Sequence, residues 1–158
     1  MFVWLDQNTD LVALLLAVMG LALGLFTVGL SVHQARINAY TRMHETLISP
    51  DAATGRRLLF LAYQANAFPT PDDEAWDAIN RSLATYDTLG VYVQRRIVNE
   101  GLVLKAWFHP LSAIAEPARA WVEHRGAHGV QNPWPSLTWL LERAERYHAK
   151  QGCCTDKP

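Results

Sequence analysis

Few residues in this chain have the type and spacing that chemistry needs. Tyr86 and Asp87 precede Arg95 and Arg96 by about two helical turns, so Asp87 and Arg95 can meet in a buried polar cluster. The plainer outcome is an ordinary ion pair between helices. His124 and His128 stand four apart, a spacing that can set two metal ligands on one helix face. Gly126 lies between them and no third ligand is suggested, so they read as loop histidines. Cys153 and Cys154 are the only cysteines, adjacent in a polar tail over 151–158. They cannot staple a domain from there, which agrees with a reducing compartment. A zinc site would need further ligands at suitable spacing. No phosphate-cradling glycine loop, G-x-S-x-G elbow, H-E-x-x-H or C-x-x-C occurs. The expectation is therefore no catalytic residue, no metal and no cofactor.

The element that positions everything else is a run from Leu11 to Val32 without one charged side chain. At about 1.5 Å per residue, a helix of this length crosses a hydrocarbon core of roughly 30 Å. A helix also satisfies its own backbone hydrogen bonds in lipid. A cleaved signal peptide fits less well: the preceding residues hold Asp6 and Asp10 and no Lys or Arg, and the run is too long. All 14 Lys and Arg lie after the run, with Arg36 and Arg42 close behind it. The positive-inside rule then places the bulk of the chain in the cytoplasm and the N-terminus outside, in an inner-membrane topology. Phe2 and Trp4 suit the outer headgroup region.

Small residues draw a stripe along this span. Ala13, Ala17, Gly20, Gly24, Thr27 and Ser31 alternate spacings of four and three, a heptad repeat containing G-x-x-x-G. Lipid tails are as apolar as leucine, so membrane helices associate through close backbone approach and hydroxyl bonding across small residues. The stripe predicts contact with another transmembrane helix, in a second copy or in a different protein. Leu14, Leu16, Leu21, Leu23, Leu25 and Leu30 suit lipid.

The remainder is near neutral. Of the 15 Asp and Glu, only Asp6 and Asp10 precede the span, so acids and bases almost balance after it. That argues against nucleic acid as a partner, which usually meets a basic face. The pattern predicts helices throughout. His33 to Ile48 continues the span as a stalk with Ile37, Tyr40, His44 and Leu47 on one side. Ser49-Pro50 caps and opens a helix to about Asn66, whose run from Leu58 to Leu61 is apolar on every face and implies deep burial or a second membrane contact. Arg56 and Arg57 are candidate headgroup contacts beside Arg36 and Arg42. Thr70 caps and Pro71 opens the next helix, with Trp76, Ile79, Leu83 and Tyr86 as its core stripe, running to Asn99 with Gly101 as C-cap. A short helix over 102–108 should stop at His109-Pro110, and another should cover 111–125. The last, 136–150, buries Leu137, Leu140, Leu141, Ala144 and Tyr147 and leaves Glu142, Arg143, Glu145 and Arg146 wet. Of the five tryptophans after the span, Trp134, between two prolines, is expected to be exposed and to anchor a partner.

The segments 83–90 (Leu-Ala-Thr-Tyr-Asp-Thr-Leu-Gly), 97–103 (Ile-Val-Asn-Glu-Gly-Leu-Val) and 121–125 (Trp-Val-Glu-His-Arg) give a resemblance to a bacterial family of a domain of unknown function. That resemblance implies one N-terminal membrane helix, a basic juxtamembrane stretch and about 110 helical residues. It brings no catalytic residues. Pro117 and the His-rich segment 124–128 depart from its pattern. The fold expected is all-α: an extracytoplasmic start (1–10), a transmembrane helix (11–32), a helical stalk (33–49), a cytoplasmic helical domain (50–150) and a tail (151–158). The function expected is a membrane-anchored interaction module, scaffold or accessory subunit that touches the bilayer and another transmembrane helix. The alternatives are a tethered enzyme or an oligomerising sensor or defence component with a polar site at Asp87 and Arg95.

Overall fold

A computed structural model describes residues 9–129 and 133–151, which form five α-helices and no strand. Side chains are described from 11 to 129 and from 133 to 147. Phe2, Trp4, Cys153, Cys154 and the ring of His148 lie outside the described residues. Helix α1 is Thr9–Ile48, α2 Pro50–Gln64, α3 Glu74–Gln94, α4 Glu100–Ala127 and α5 Pro135–Gln151. The chain divides into two compact units, one through Asn38 and one from Ala39.

The first unit is the leading part of α1. Helix α1 is long and apolar enough to cross a membrane. No helix breaker or charge interrupts Leu11 to Val32, and the side chains there are exposed apart from the half-exposed Val12. The second unit holds the rest of α1 and the four other helices. Its core is drawn from every helix: Met43 and Leu47 from α1, Leu59 from α2, Ile79, Leu83 and Tyr86 from α3, Leu111, Ile114 and Trp121 from α4, Leu137, Leu140 and Leu141 from α5. The expected stripe of Trp76, Ile79, Leu83 and Tyr86 is buried throughout. On the stalk the burying residues are Met43 and Leu47, whereas Ile37 and His44 are exposed.

Helix α2 starts as its sequence dictates. The Ser49 Oγ accepts the Ala52 N–H at 3.3 Å and Pro50 stands at the first position, where a missing N–H costs nothing. Its apolar run is divided: Leu59 is buried, while Leu61 is 50% exposed on the rim of an open groove of about 340 Å³ shared with Ala62, Phe68 and Ile79. Helix α3 begins at Glu74, three residues later than Thr70-Pro71 implies. Asp73 Oδ2 accepts both the N–H and the hydroxyl of Thr70, at 2.7 and 3.0 Å, and this closes a turn before the helix. Helix α3 also stops early, at Gln94, because Arg96 turns left-handed at φ 57°. Gly101 is accordingly not a C-cap. Asn99 caps the next helix, its Oδ1 accepting the Leu102 N–H at 3.1 Å.

The largest departure is α4, which runs unbroken through Pro110 and Pro117. An interior proline costs about 3 kcal/mol or more through a lost hydrogen bond and a clash. Here Val103, Trp107, Leu111, Ile114, Ala118 and Trp121 form one buried stripe that carries across both prolines. Each buried large side chain contributes about 1.5–3 kcal/mol, so the stripe outweighs the breaks. Helix α5 buries Leu137, Leu140, Leu141 and Ala144 as its periodicity requires. Arg143 and Glu145, expected to be wet, instead reach α4, pairing with Glu100 at 3.4 Å and with Arg119 at 2.7 Å.

Two glycines set how closely helices meet: Gly55, and Gly90, where a Cβ would fall on the Ser136 carbonyl at the start of α5. A Cβ on Gly55 would fall on the Ala78 carbonyl and the Ser82 Cβ, so α2 and α3 touch backbone to backbone there. Around Gly126 a Cβ meets nothing within 4 Å. Gly55→Ala should destabilise the detergent-solubilised chain by about 1–3 kcal/mol through overpacking. Gly126→Ala should stabilise it by about 0.4–1 kcal/mol through the unfolded chain. Denaturant unfolding of both variants checks this pair, and equal effects would contradict the packing.

Candidate functional site

Four places on the molecule are candidates, and the first is the small-residue stripe. Ala13, Ala17, Gly20, Gly24, Thr27 and Ser31 are all exposed on α1. A Cβ on Gly20 or Gly24 meets nothing within 4 Å, so a neighbouring backbone has room to approach. The two hydroxyls do not reach outward. Thr27 Oγ1 donates to the Leu23 carbonyl at 2.8 Å and Ser31 Oγ to the Thr27 carbonyl at 2.9 Å. Each keeps its lone pairs for a donor from outside the helix.

The second lies where α1 ends. Arg56 is half-buried, not a free headgroup contact as expected. Its Nη1 donates to the Leu47 carbonyl at 2.6 Å and to the Tyr86 hydroxyl at 3.2 Å. The reason is the geometry of helix ends. The last carbonyls of α1 have no intrahelical partner, and a cation there also meets the negative end of the helix dipole. Tyr86 is fully buried. Burial pushes its hydroxyl above the usual tyrosine range, against the opposing pull of the Arg56 charge and hydrogen bond. Arg36, Arg42 and Arg57 remain exposed.

The third is an aromatic cluster whose members lie far apart in the sequence. Trp76 and Trp121 meet edge to face at 4.8 Å, and Phe68 adds its ring to Trp121 at 5.5 Å. His124 and His128 join them, their rings 4.8 Å apart. His124 is therefore not a loop histidine, since α4 carries it inside its last turn, while His128 stands in the turn just after the helix as its C-cap. His124 Nε2 lies 3.2 Å from the Pro69 carbonyl. Asn80 Oδ1 accepts from both Trp121 Nε1, at 3.0 Å, and Arg125 Nη1, at 3.1 Å. Arg125 lies over Trp134 at 4.6 Å and over Trp76 at 5.6 Å, in cation–π contact. Burial holds its guanidinium below the usual arginine value. Trp134 is thus corrected as well. It is only 7% exposed, covered by Arg125, and is not a surface anchor. The flanking prolines suggested a loop; Pro135 in fact opens α5, and the indole turns into the core.

The fourth is the pairing of Asp87 with Arg95, which does not form. Asp87 Oδ1 accepts the Leu137 N–H at 2.8 Å and so caps the start of α5. Arg95 sits exposed at the C-cap of α3. Both are placed by helix ends, a role that spacing along one helix cannot disclose. Among the described residues no group of three or more His, Cys, Asp and Glu converges. The chain matches no protein-family model, no curated protein and no solved structure. The strongest signal available for the aromatic cluster was the four-residue spacing of His124 and His128, together with Trp121 one turn before.

The Tyr86 shift has a sign that can be tested. A raised folded-state value contributes stability that is fully present below the unfolded value near 10 and is lost as pH rises from there through the folded-state value. Unfolding free energy should therefore fall above pH of about 10. Tyr86→Phe should flatten that fall while losing the Arg56 bond, which costs about 1–3 kcal/mol at neutral pH. Chemical denaturation at a series of pH values would check both; an unchanged alkaline slope would remove Tyr86 from the explanation.

Proposed function

We propose that this chain is a single-span membrane protein whose helical domain is a non-catalytic interaction module, a scaffold or accessory subunit of a membrane assembly. In this reading α1 crosses the inner membrane from Leu11 to Val32, with the N-terminus outside and the helical unit in the cytoplasm. Arg36 and Arg42 follow the span within about ten residues, where cytoplasmic cations concentrate. The partner in the bilayer is another transmembrane helix, from a second copy or another protein.

The observation that carries the reading is the stripe. Six small residues in heptad register run along one face of the uncharged span from Leu11 to Val32, with free space at both central glycines. That is the shape on which helices associate in lipid. The polar groups of the second unit favour binding over catalysis as well. Asp87 is spent on a helix cap, Arg56 on a helix end and Arg125 on two indoles.

Two experiments test this. On a Cys153→Ser, Cys154→Ser background, Gln7→Cys should react with an impermeant thiol reagent in intact cells and Asp72→Cys should not; the reverse labelling would overturn the orientation. Gly24→Leu should weaken self-association in a membrane two-helix reporter, or else lose a co-purifying membrane protein. Leu23→Ile, on another face, should do little. Equal behaviour of Gly24→Leu and Leu23→Ile in both assays would remove the stripe as an interface.

A further inference from the structure

The turn between α3 and α4 contains an arginine where the backbone asks for glycine. Helix α3 closes with the Arg96 N–H on the Val93 carbonyl at 3.0 Å and the Ile97 N–H on the Tyr92 carbonyl at 2.9 Å. That is a Schellman motif, and Arg96 is its left-handed residue at φ 57°. Helix α2 closes the same way, with Asn66 at φ 49°. Asparagine is among the few residues that visit this region readily; arginine suffers the full Cβ clash. Beyond those two backbone bonds, no side-chain partner of Arg96 among the described residues offsets that cost. The Arg96 side chain is exposed and joins no ion pair with a described residue, and the same holds for Arg95.

The surroundings are basic and apolar together. Glu100, the nearest acid in sequence, is held by Arg143 at 3.4 Å. Lys105 adds an exposed cation one turn further on. Between these charges stand exposed hydrocarbon side chains: Val91 and Ile97, each 36% exposed, and Leu102, 48% exposed. An acidic protein surface would match the cations alone. An anionic bilayer surface matches both sets, its phosphates and carboxylates facing the arginines and its interfacial hydrocarbon taking Ile97 and Leu102.

Helix α1 is tied to both helices that flank the turn. The Leu47 carbonyl is tied through Arg56 to Tyr86, about 12 Å along α3 from its end. The His44 ring meets Trp107 at 5.3 Å, about 10 Å along α4 from its start.

We infer that the α3–α4 turn is a second bilayer contact, in which Arg95 and Arg96 hold anionic phospholipid headgroups while Ile97 and Leu102 enter the interface. This rests on the reading of α1 as a membrane anchor. The test uses the full chain in lipid nanodiscs, on the Cys153→Ser, Cys154→Ser background, with an environment-sensitive dye on Ile97→Cys. In discs containing phosphatidylserine the dye should shift to the blue and resist iodide quenching. In phosphatidylcholine discs it should stay wet, and high salt should release it. Each cation favours an anionic surface by a factor of about five, so Arg95→Gln with Arg96→Gly should lower the docked-to-free ratio about 25-fold. Arg96→Gly also relieves the left-handed strain, so the thermal midpoint should rise while docking falls. A purely structural role could not give that combination.

A dye equally quenched in both lipids, with the arginines present, overturns the inference. So does protection that ignores lipid charge and vanishes at one copy per disc, since a second copy would then cover the turn. Extraction of the unlabelled chain from membranes by alkaline carbonate would instead remove the anchor reading itself; retention with a wet dye removes only this inference.

Discussion

The structure depends on how α1 ends. A long apolar helix leaves its final carbonyls without partners, and here that end sets its buried Leu47 among other helices. Arg56 resolves this by donating to the Leu47 carbonyl and, with the same nitrogen, to the Tyr86 hydroxyl. Three helices are therefore fixed by one guanidinium: the end of α1, the second turn of α2 and the middle of α3. The buried hydroxyl of Tyr86 requires a donor or acceptor, and the helix end requires a donor. Arginine satisfies both because its donors are held in a rigid planar fork. Lysine would offer a point charge on a flexible stem.

How much of this was legible in the sequence depended on the kind of signal. Periodic burial could be read directly. Trp76, Ile79, Leu83 and Tyr86 on α3, and Leu137 to Ala144 on α5, follow from 3.6-residue spacing alone. Ser49-Pro50 was legible because both of its signals are local. Helix ends decided by a distant partner were not. Helix α3 begins at Glu74 because Asp73 binds Thr70, and α5 begins where Asp87, fifty residues away in sequence, offers an acceptor. The prolines of α4 misled for the converse reason. They are strong local breakers, but Leu111, Ile114 and Ala118 lie on the buried face that runs past both of them.

Apart from Arg146, which pairs with Glu142 on its own helix, most arginines sort into two populations. Arg56, Arg119, Arg125 and Arg143 each bridge elements. Arg119 has two acidic partners: its hydrogen bond to Glu145, reinforced by Glu116, holds the guanidinium above its usual value. Arg36, Arg42, Arg57, Arg95 and Arg96 are exposed and make no ion pair with a described residue. Spacing could not separate the populations, because Arg56 and Arg57 are adjacent and belong to different ones. What separates them is the direction each side chain leaves its helix: position 56 faces α1 and α3, and position 57 faces away.

That division bears on how weak contacts could serve a tethered domain. A patch with two cations and a pair of exposed hydrocarbon side chains would not hold a free protein at a membrane; stable attachment generally takes two signals. A covalent anchor changes the arithmetic. It raises the local concentration of bilayer surface to the millimolar range or above, so a contact far too weak to recruit the protein can still be occupied. In the proposed reading α1 supplies residence and the α3–α4 turn supplies orientation. Orientation is what a rigid helical unit can use. Its helices are locked together by the Gly55 contact, the Asp87 cap and the Arg119–Glu145 pair, so fixing one turn against a surface fixes the whole unit.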